Sequence, residues 1–264
     1  MKILFIGDVV GRAGRLALSA RLGRLVDIHN VDLVVANGEN AAAGFGLTQD
    51  VAKEIFDHGV DVITSGNHIW DKKEILPYLD RPVPVLRPAN YPRGAPGRGM
   101  GIFNTSAGIP VGVLNLEGRV FMNNLECPFR TADHLVEELR LRTPVILVDF
   151  HAEATSEKAA MGHYLDGRIS ALVGTHTHVQ TADEHILPGG TAYITDAGMT
   201  GSRDAVIGIR KELAIERFLT LLPVRFEVAK KNPIISAVLF TIDEETGKAV
   251  AVQRILEAIE DAPT

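Results

Sequence analysis

Short apolar runs alternate with stretches of helical periodicity along the first half of the chain. Lys2-Ile3-Leu4-Phe5-Ile6-Gly7 predicts a buried strand, Leu33 to Ala36 a second and Val60 to Thr64 a third. Between them, Arg12 to Ile28 carries a stripe of Leu16, Ala20, Leu22, Leu25 and Val26. Thr48 can cap a helix to about His58, with Val51, Ala52, Ile55 and Phe56 on one face. Asp71 to Leu79 reads as a further helix, closed by Pro82-Val83-Pro84. This βαβαβα rhythm predicts parallel strands joined by right-handed crossovers.

Beyond the Gly-, Pro- and Arg-rich loop from Pro88 to Gly101, the pattern changes. Strands are expected at Met100 to Ser106, Val111 to Glu117, Val145 to Phe150, Ile169 to Val173 and Ala192 to Thr195. Helices are expected at Thr131 to Leu141, Glu153 to Leu165 and Arg210 to Leu221. Ile234 to Asp243 and Lys248 to Ile255 form a predicted hairpin around Glu244-Glu245-Thr246-Gly247. There is no internal repeat and no linker, so the chain, 1–264, reads as one α/β domain whose second half is antiparallel or mixed.

Five of these apolar runs end in residues that carry chemistry. Asp8 follows the first strand, Glu39-Asn40 the second, Asn67-His68 the third, His151 the run from Val145, and His176-Thr177-His178 the run from Ile169. Open α/β sheets build their sites at the carboxyl ends of strands. Oxygen and imidazole donors without a thiolate suit one or two transition metals. Each residue has a plainer reading: Asp8 as a helix cap, His68 as a packing or surface residue, His176 and His178 as one face of a strand. Glu39 is harder to set aside, since a carboxylate beside an apolar core needs a partner. The joint arrangement carries the argument. His29, His58 and His134 fall on or beside amphipathic helices, and His163 and His185 lack a comparable position. Gly7-Asp8-Val9-Val10-Gly11-Arg12-Ala13-Gly14 does not have dinucleotide-binding spacing, and no Walker lysine follows it.

Composition narrows the classes. At 46% apolar residues the chain can bury a full core. Its net charge of −6 weighs against non-specific nucleic-acid or anionic-membrane binding, though not against a small anionic substrate. Cys127 is the single cysteine, which excludes an intrachain disulfide and a cysteine-based zinc site and fits a reducing cytoplasm. Met1 to Ile6 is too short for a signal peptide, and no apolar run reaches the ~20 residues of a spanning helix. The expectation is a cytoplasmic protein with no membrane partner. RNA binding and homo-oligomer formation are left open, the former requiring a basic groove where only scattered arginines such as Arg87, Arg93 and Arg98 are visible.

Together, Gly7-Asp8, Gly66-Asn67-His68, His151 and Gly174-Thr175-His176-Thr177-His178 resemble the calcineurin-like metallophosphoesterases. Ile6-Gly7-Asp8-Val9-Val10-Gly11, Asn37-Gly38-Glu39-Asn40 and Asp149-Phe150-His151-Ala152-Glu153 are similar to the YmdB branch in particular. The resemblance runs from residue 3 to about residue 210. Val10 stands where the broad superfamily has histidine, and Glu39 where it has a bridging aspartate. The resemblance implies a four-layer α/β/β/α sandwich with mixed sheets and two metal ions, and imidazole ligands suit iron or manganese before magnesium. Asp8, Glu39, Asn40 and His178 would hold one ion, and Glu39, Asn67, His151 and His176 the other, with Glu39 bridging. It further implies hydrolysis of phosphodiesters such as 2′,3′-cyclic nucleotides, with a bridging hydroxide attacking phosphorus and His68 protonating the leaving oxygen. Two alternatives stand beside this: a regulatory protein that binds metal and a phosphorylated ligand with little turnover, and an RNA-processing factor.

Overall fold

The computed structural model describes residues 1–259, so the end of the expected domain lies outside the described residues. Strand β1 (Lys2–Ile6) shows how the layers arise. Leu4 and Ile6 face a core shared with helices, whereas Ile3 and Phe5 face a second sheet. Both faces of the strand are buried, which is why its sequence is an apolar run rather than an alternation. The same division holds for β3 (Leu33–Asn37), with Val34 and Ala36 on the helical side and Leu33 and Val35 on the other.

The first sheet runs in the order β2 (Asp8–Val9), β11 (Met199–Ser202), β12 (Pro233–Ile242), β1, β3, β4 (Val62–Thr64), with β13 (Ala249–Ala258) also pairing β12. Pairings β1–β3, β3–β4 and β2–β11 are parallel, and β12 is antiparallel to β1, β11 and β13. The second sheet runs β5 (Met100–Asn104), β6 (Pro110–Glu117), β7 (Ile146–His151), β8 (Ala171–Thr175), β10 (Ala192–Ile194), β9 (His185–Ile186). Its middle is parallel, and its edges β5 and β9 are antiparallel. Helices α1 (Gly11–His29), α2 (Gln49–Asp57) and α3 (Leu76–Leu79) cover the first sheet, and α4 (Pro128–Arg140) and α5 (Thr155–Leu165) the second. Three apolar cores thus separate four layers, the α/β/β/α arrangement expected. Among the described residues no helix is long and apolar enough to cross a membrane.

Several boundaries differ from the expectation. The predicted helix over 71–79 is a 3₁₀ turn at Lys73–Ile75 followed by the four residues of α3, because Pro77 would fall in the interior of a continuous helix and instead opens a new first turn. Helix α4 starts at Pro128 rather than Thr131, proline being suited to a first helical turn. Thr48 does cap α2, accepting from Val51 N at 3.2 Å. The buried stripe of α1 is Ala13, Gly14, Ala17, Leu18, Leu22 and Leu25; Ala20 is exposed and Leu16 only half-buried. Small residues face inward because the helix lies close on β11: a Cβ on Gly14 would stand 2.5 Å from Thr200 O. The short strands β2, β9 and β11 escape the hydrophobic pattern, and β11 (Met-Thr-Gly-Ser) has almost none.

Candidate metal centre

The layer between the sheets changes character along its length. At its apolar end stand Val35, Val62, Val113, Leu147 and Val173. Two residues on, the same strand faces present Asn37, Thr64, Asn115, Asp149 and Thr175, all fully buried. Asp149 is the hub. It accepts from Thr175 Oγ1 at 2.7 Å, Thr64 Oγ1 at 2.5 Å and Asn37 Nδ2 at 3.1 Å. Burial pushes its carboxyl up to about 6. Next along these strands come His151, at the end of β7, and the loops holding Glu39, Asn67 and His176.

His151 Nδ1 lies 2.9 Å from Thr175 Oγ1, whose hydroxyl donates to Asp149. The Thr175 oxygen therefore accepts from Nδ1–H, and Nε2 points into the site. Nε2 meets Glu39 Oε1 at 3.0 Å, Asn67 Oδ1 at 3.1 Å and His176 Nδ1 at 3.0 Å. His176 Nε2 is 3.1 Å from Glu153 Oε2, which places its proton there and leaves Nδ1 as a lone pair. Burial, and then the charge on His151, lower His176 to about 3, so its ring is neutral. One proton on His151 Nε2 cannot serve three acceptors. Four donor atoms converging on one point fit a cation. Glu39, His151 and His176 bring ligand atoms within 4.8 Å of one another.

Asp8, Asn40 and His178 gather beside this group. Asp8 is fully buried and does not cap α1, since its Oδ2 accepts from His176 N at 3.2 Å. Its Oδ1 has no hydrogen-bond partner among the described residues and faces His178 Nε2 at 3.7 Å. An orphaned buried carboxylate oxygen is costly unless a cation or donor meets it. His178 Nδ1 donates to Ile207 O at 2.9 Å, so Nε2 is again the free nitrogen. Asn40 Nδ2 lies 3.2 Å from Glu39 Oε1 and 3.3 Å from His178 Nε2, and turning its amide over presents the oxygen instead. Gly66 must be glycine: a Cβ there would stand 2.3 Å from His151 Nε2 and 2.5 Å from Glu39 Oε2.

His68 sits apart from the ligand atoms. Its backbone N donates to Glu39 Oε2 at 3.0 Å, while its ring is partly exposed and Nδ1 is 2.9 Å from Asp71 Oδ2. Trp70 packs into the core and meets Tyr91 edge-on at 5.2 Å.

All the residues singled out from the sequence thus lie at one end of the sheets. Residues assigned no role from the sequence support them: Asp71, Asp149, Thr175, Glu153 and the pair Lys158–Asp196. Asp71 lies three residues past His68, and Asp149 two before His151 on the same strand face, so spacing could have found both. Lys158 and Asp196 form a fully buried ion pair at 2.7 Å. Asp196 also accepts from Thr177 N at 3.1 Å and Thr177 Oγ1 at 2.8 Å. This anchors the loop whose His176 and His178 adopt φ values of 100° and 66°, in the left-handed region.

The family model described as YmdB-like protein matches residues 4–255. That extends beyond the resemblance near residue 210, since β12 at the sheet's centre belongs to the same unit. A 2′,3′-cyclic-nucleotide 2′-phosphodiesterase of Bacillus subtilis (strain 168) is 52% identical over 256 residues, 97% of each chain. A crystal structure of a hypothetical protein from Thermus thermophilus superposes with a TM-score of 0.92 at 43% identity, covering 98% of this chain and 99% of that one. A crystal structure of a novel phosphatase from Mycoplasma pneumoniae gives a TM-score of 0.91 at 34% identity, covering 98% and 93%.

Proposed function

The chain belongs to the YmdB-like family, and from that premise we propose that it is a metal-dependent phosphodiesterase that opens the ring of 2′,3′-cyclic nucleotides. The fold is that of the metallophosphoesterases, carried on a single domain. The observation that supports the reading best is the convergence of Glu39 Oε1, Asn67 Oδ1 and His176 Nδ1 on His151 Nε2, beside the orphaned Oδ1 of Asp8. Two ions are proposed. Glu39, Asn67, His151 and His176 would hold one, and Asp8, Glu39, Asn40 and His178 the other, with the Glu39 carboxylate common to both. Neutral imidazole and amide donors limit the negative charge at the site and favour iron or manganese. A bound cation pair supplies a nucleophilic oxygen at neutral pH and neutralises charge building on phosphorus.

The remaining work falls to the chain. The Asp149–Thr175–His151 relay holds one imidazole with its lone pair inward. Glu153 and the Ile207 carbonyl do the same for His176 and His178. His68 gives a proton to the departing ribose oxygen. Asp71 takes up its Nδ1, leaving Nε2 free for proton transfer. In the Bacillus subtilis relative's name the bond broken is the 2′ ester, and the same cleavage here yields a 3′-phosphate. Phosphorus NMR of 2′,3′-cyclic AMP incubated with the protein tests this. A 3′-monophosphate product is expected, and turnover faster than that of p-nitrophenyl phosphate; a preference for the monoester would contradict the reading.

A further inference from the structure

A cleft of about 770 Å³ opens beside the proposed metal centre, between the start of α1, the loop after β3 and the segment from Asp204 to Lys231. Two contacts tie its lining to residues of the site. Gly11, in its lining, donates its N–H to Asn40 O at 2.9 Å. Phe45, also in its lining, meets the His68 ring edge-on at 5.2 Å.

The chain carries a net charge of −6, yet this cleft is locally cationic. Its acids are engaged: Arg210 lies 2.9 Å from Glu227 and 3.7 Å from Glu212, and Lys211 holds Asp204 at 2.6 Å. Arg15 is turned to Glu54 at 2.8 Å. Among the described residues Arg12, Lys230 and Lys231 line the cleft, are exposed and form no ion pair. Phe45 and Phe226 also line it and are 37% and 42% exposed. Unpaired cations interleaved with exposed aromatic rings are what a single-stranded nucleic acid requires, one set for phosphates and the other for base faces.

We propose that this cleft receives the strand on the 5′ side of an RNA end that terminates in a 2′,3′-cyclic phosphate. The preferred substrate is then an oligoribonucleotide terminus rather than a free mononucleotide. This rests on the ring-opening activity proposed above. The reaction is unchanged: water adds to phosphorus, the bond to O2′ breaks, O2′ takes a proton, and the strand keeps a 3′-phosphate. What the cleft adds is recognition of the internucleotide phosphate and neighbouring base that a mononucleotide lacks.

The test compares the metal-loaded wild-type protein with a variant carrying Arg12→Ala, Lys230→Ala and Lys231→Ala, and with Phe226→Ala. All four side chains are exposed, so folding is not at risk. Rates are read on 2′,3′-cyclic AMP and on a short single-stranded RNA with a 2′,3′-cyclic end, and binding of the labelled RNA by anisotropy over a salt series. The wild type should prefer the RNA in kcat/KM. The triple variant should lose that preference while keeping the mononucleotide rate, and its salt slope should flatten by about 0.7 per phosphate contact removed. Phe226→Ala should weaken RNA binding about 5- to 100-fold, as one lost stacking contact would. Equal wild-type rates on the two substrates, or equal losses on both in the triple variant, would overturn the proposal. So would RNA binding indifferent to the four substitutions. If the wild type opens no cyclic mononucleotide, the activity reading fails on its own, and the anisotropy still decides the cleft.

Discussion

Nε2 of His151 lies 3.0 Å from Oε1 of Glu39, and both side chains are closed to solvent. Burial pulls the imidazole down, but Glu39, Asp8 and Asp149 outweigh it and raise His151 to about 9. Burial pushes Glu39 up, and His151 outweighs that in turn, lowering it to about 2. In the metal-free protein His151 therefore holds a proton at pH 7 where a cation would bind. The sign follows: binding must expel that proton, so apparent affinity rises with pH, roughly tenfold per unit, until about pH 9. Calorimetric Mn²⁺ titration in buffers of different ionisation enthalpy should report about one proton released; affinity flat between pH 6 and 8 would contradict it.

Glu39 and Asp8 should fail differently. Glu39→Gln removes the charge proposed to be shared by both ions, so metal analysis should find both depleted. Asp8→Asn should deplete chiefly one. Two ions retained in Glu39→Gln would show that this carboxylate is not shared.

His68→Ala should keep the metals and lose about 10²- to 10⁴-fold in kcat on a cyclic nucleotide. The loss should shrink on bis-p-nitrophenyl phosphate, whose leaving group needs little protonation. Asp71→Asn replaces a charge-assisted hydrogen bond with a neutral one and should cost roughly tenfold in kcat, again mainly with the poor leaving group. Equal slowing of both substrates would assign His68 to charge stabilisation instead.

Lys158→Met leaves Asp196 buried and without its cation. Breaking such a pair costs about 3–5 kcal/mol, read as a lower denaturant midpoint. Loosening of the Thr177 anchor should also lower metal occupancy. Replacing Asp196 by Asn in the same variant should recover part of the stability, because no uncompensated charge then remains.

Strands β1, β3, β4, β7 and β8 and the residues at their ends are legible in the sequence for one reason: each is buried on both faces, so apolar runs stop where the inter-sheet layer turns polar. Asp8, Glu39, His151 and His176 mark those stops. The supporting shell is less legible. Asp149 looks like an interruption of an apolar run, and only the register of β7 beside β8 shows it gripping Thr175 behind His151. Strand β11 has no hydrophobic signature because α1 packs on it backbone to backbone, through Gly14. The clustering of Arg12 with Lys230 and Lys231 is invisible in a chain where more than two hundred residues separate them.

The most direct test of the central claim is one preparation assayed twice. Metal content and hydrolysis of 2′,3′-cyclic AMP are measured as purified, after exhaustive chelation, and during stepwise return of Mn²⁺ or Fe²⁺. The account predicts two ions per chain, loss of turnover with the metal, and recovery that follows occupancy. Full turnover in protein stripped of metal would contradict it.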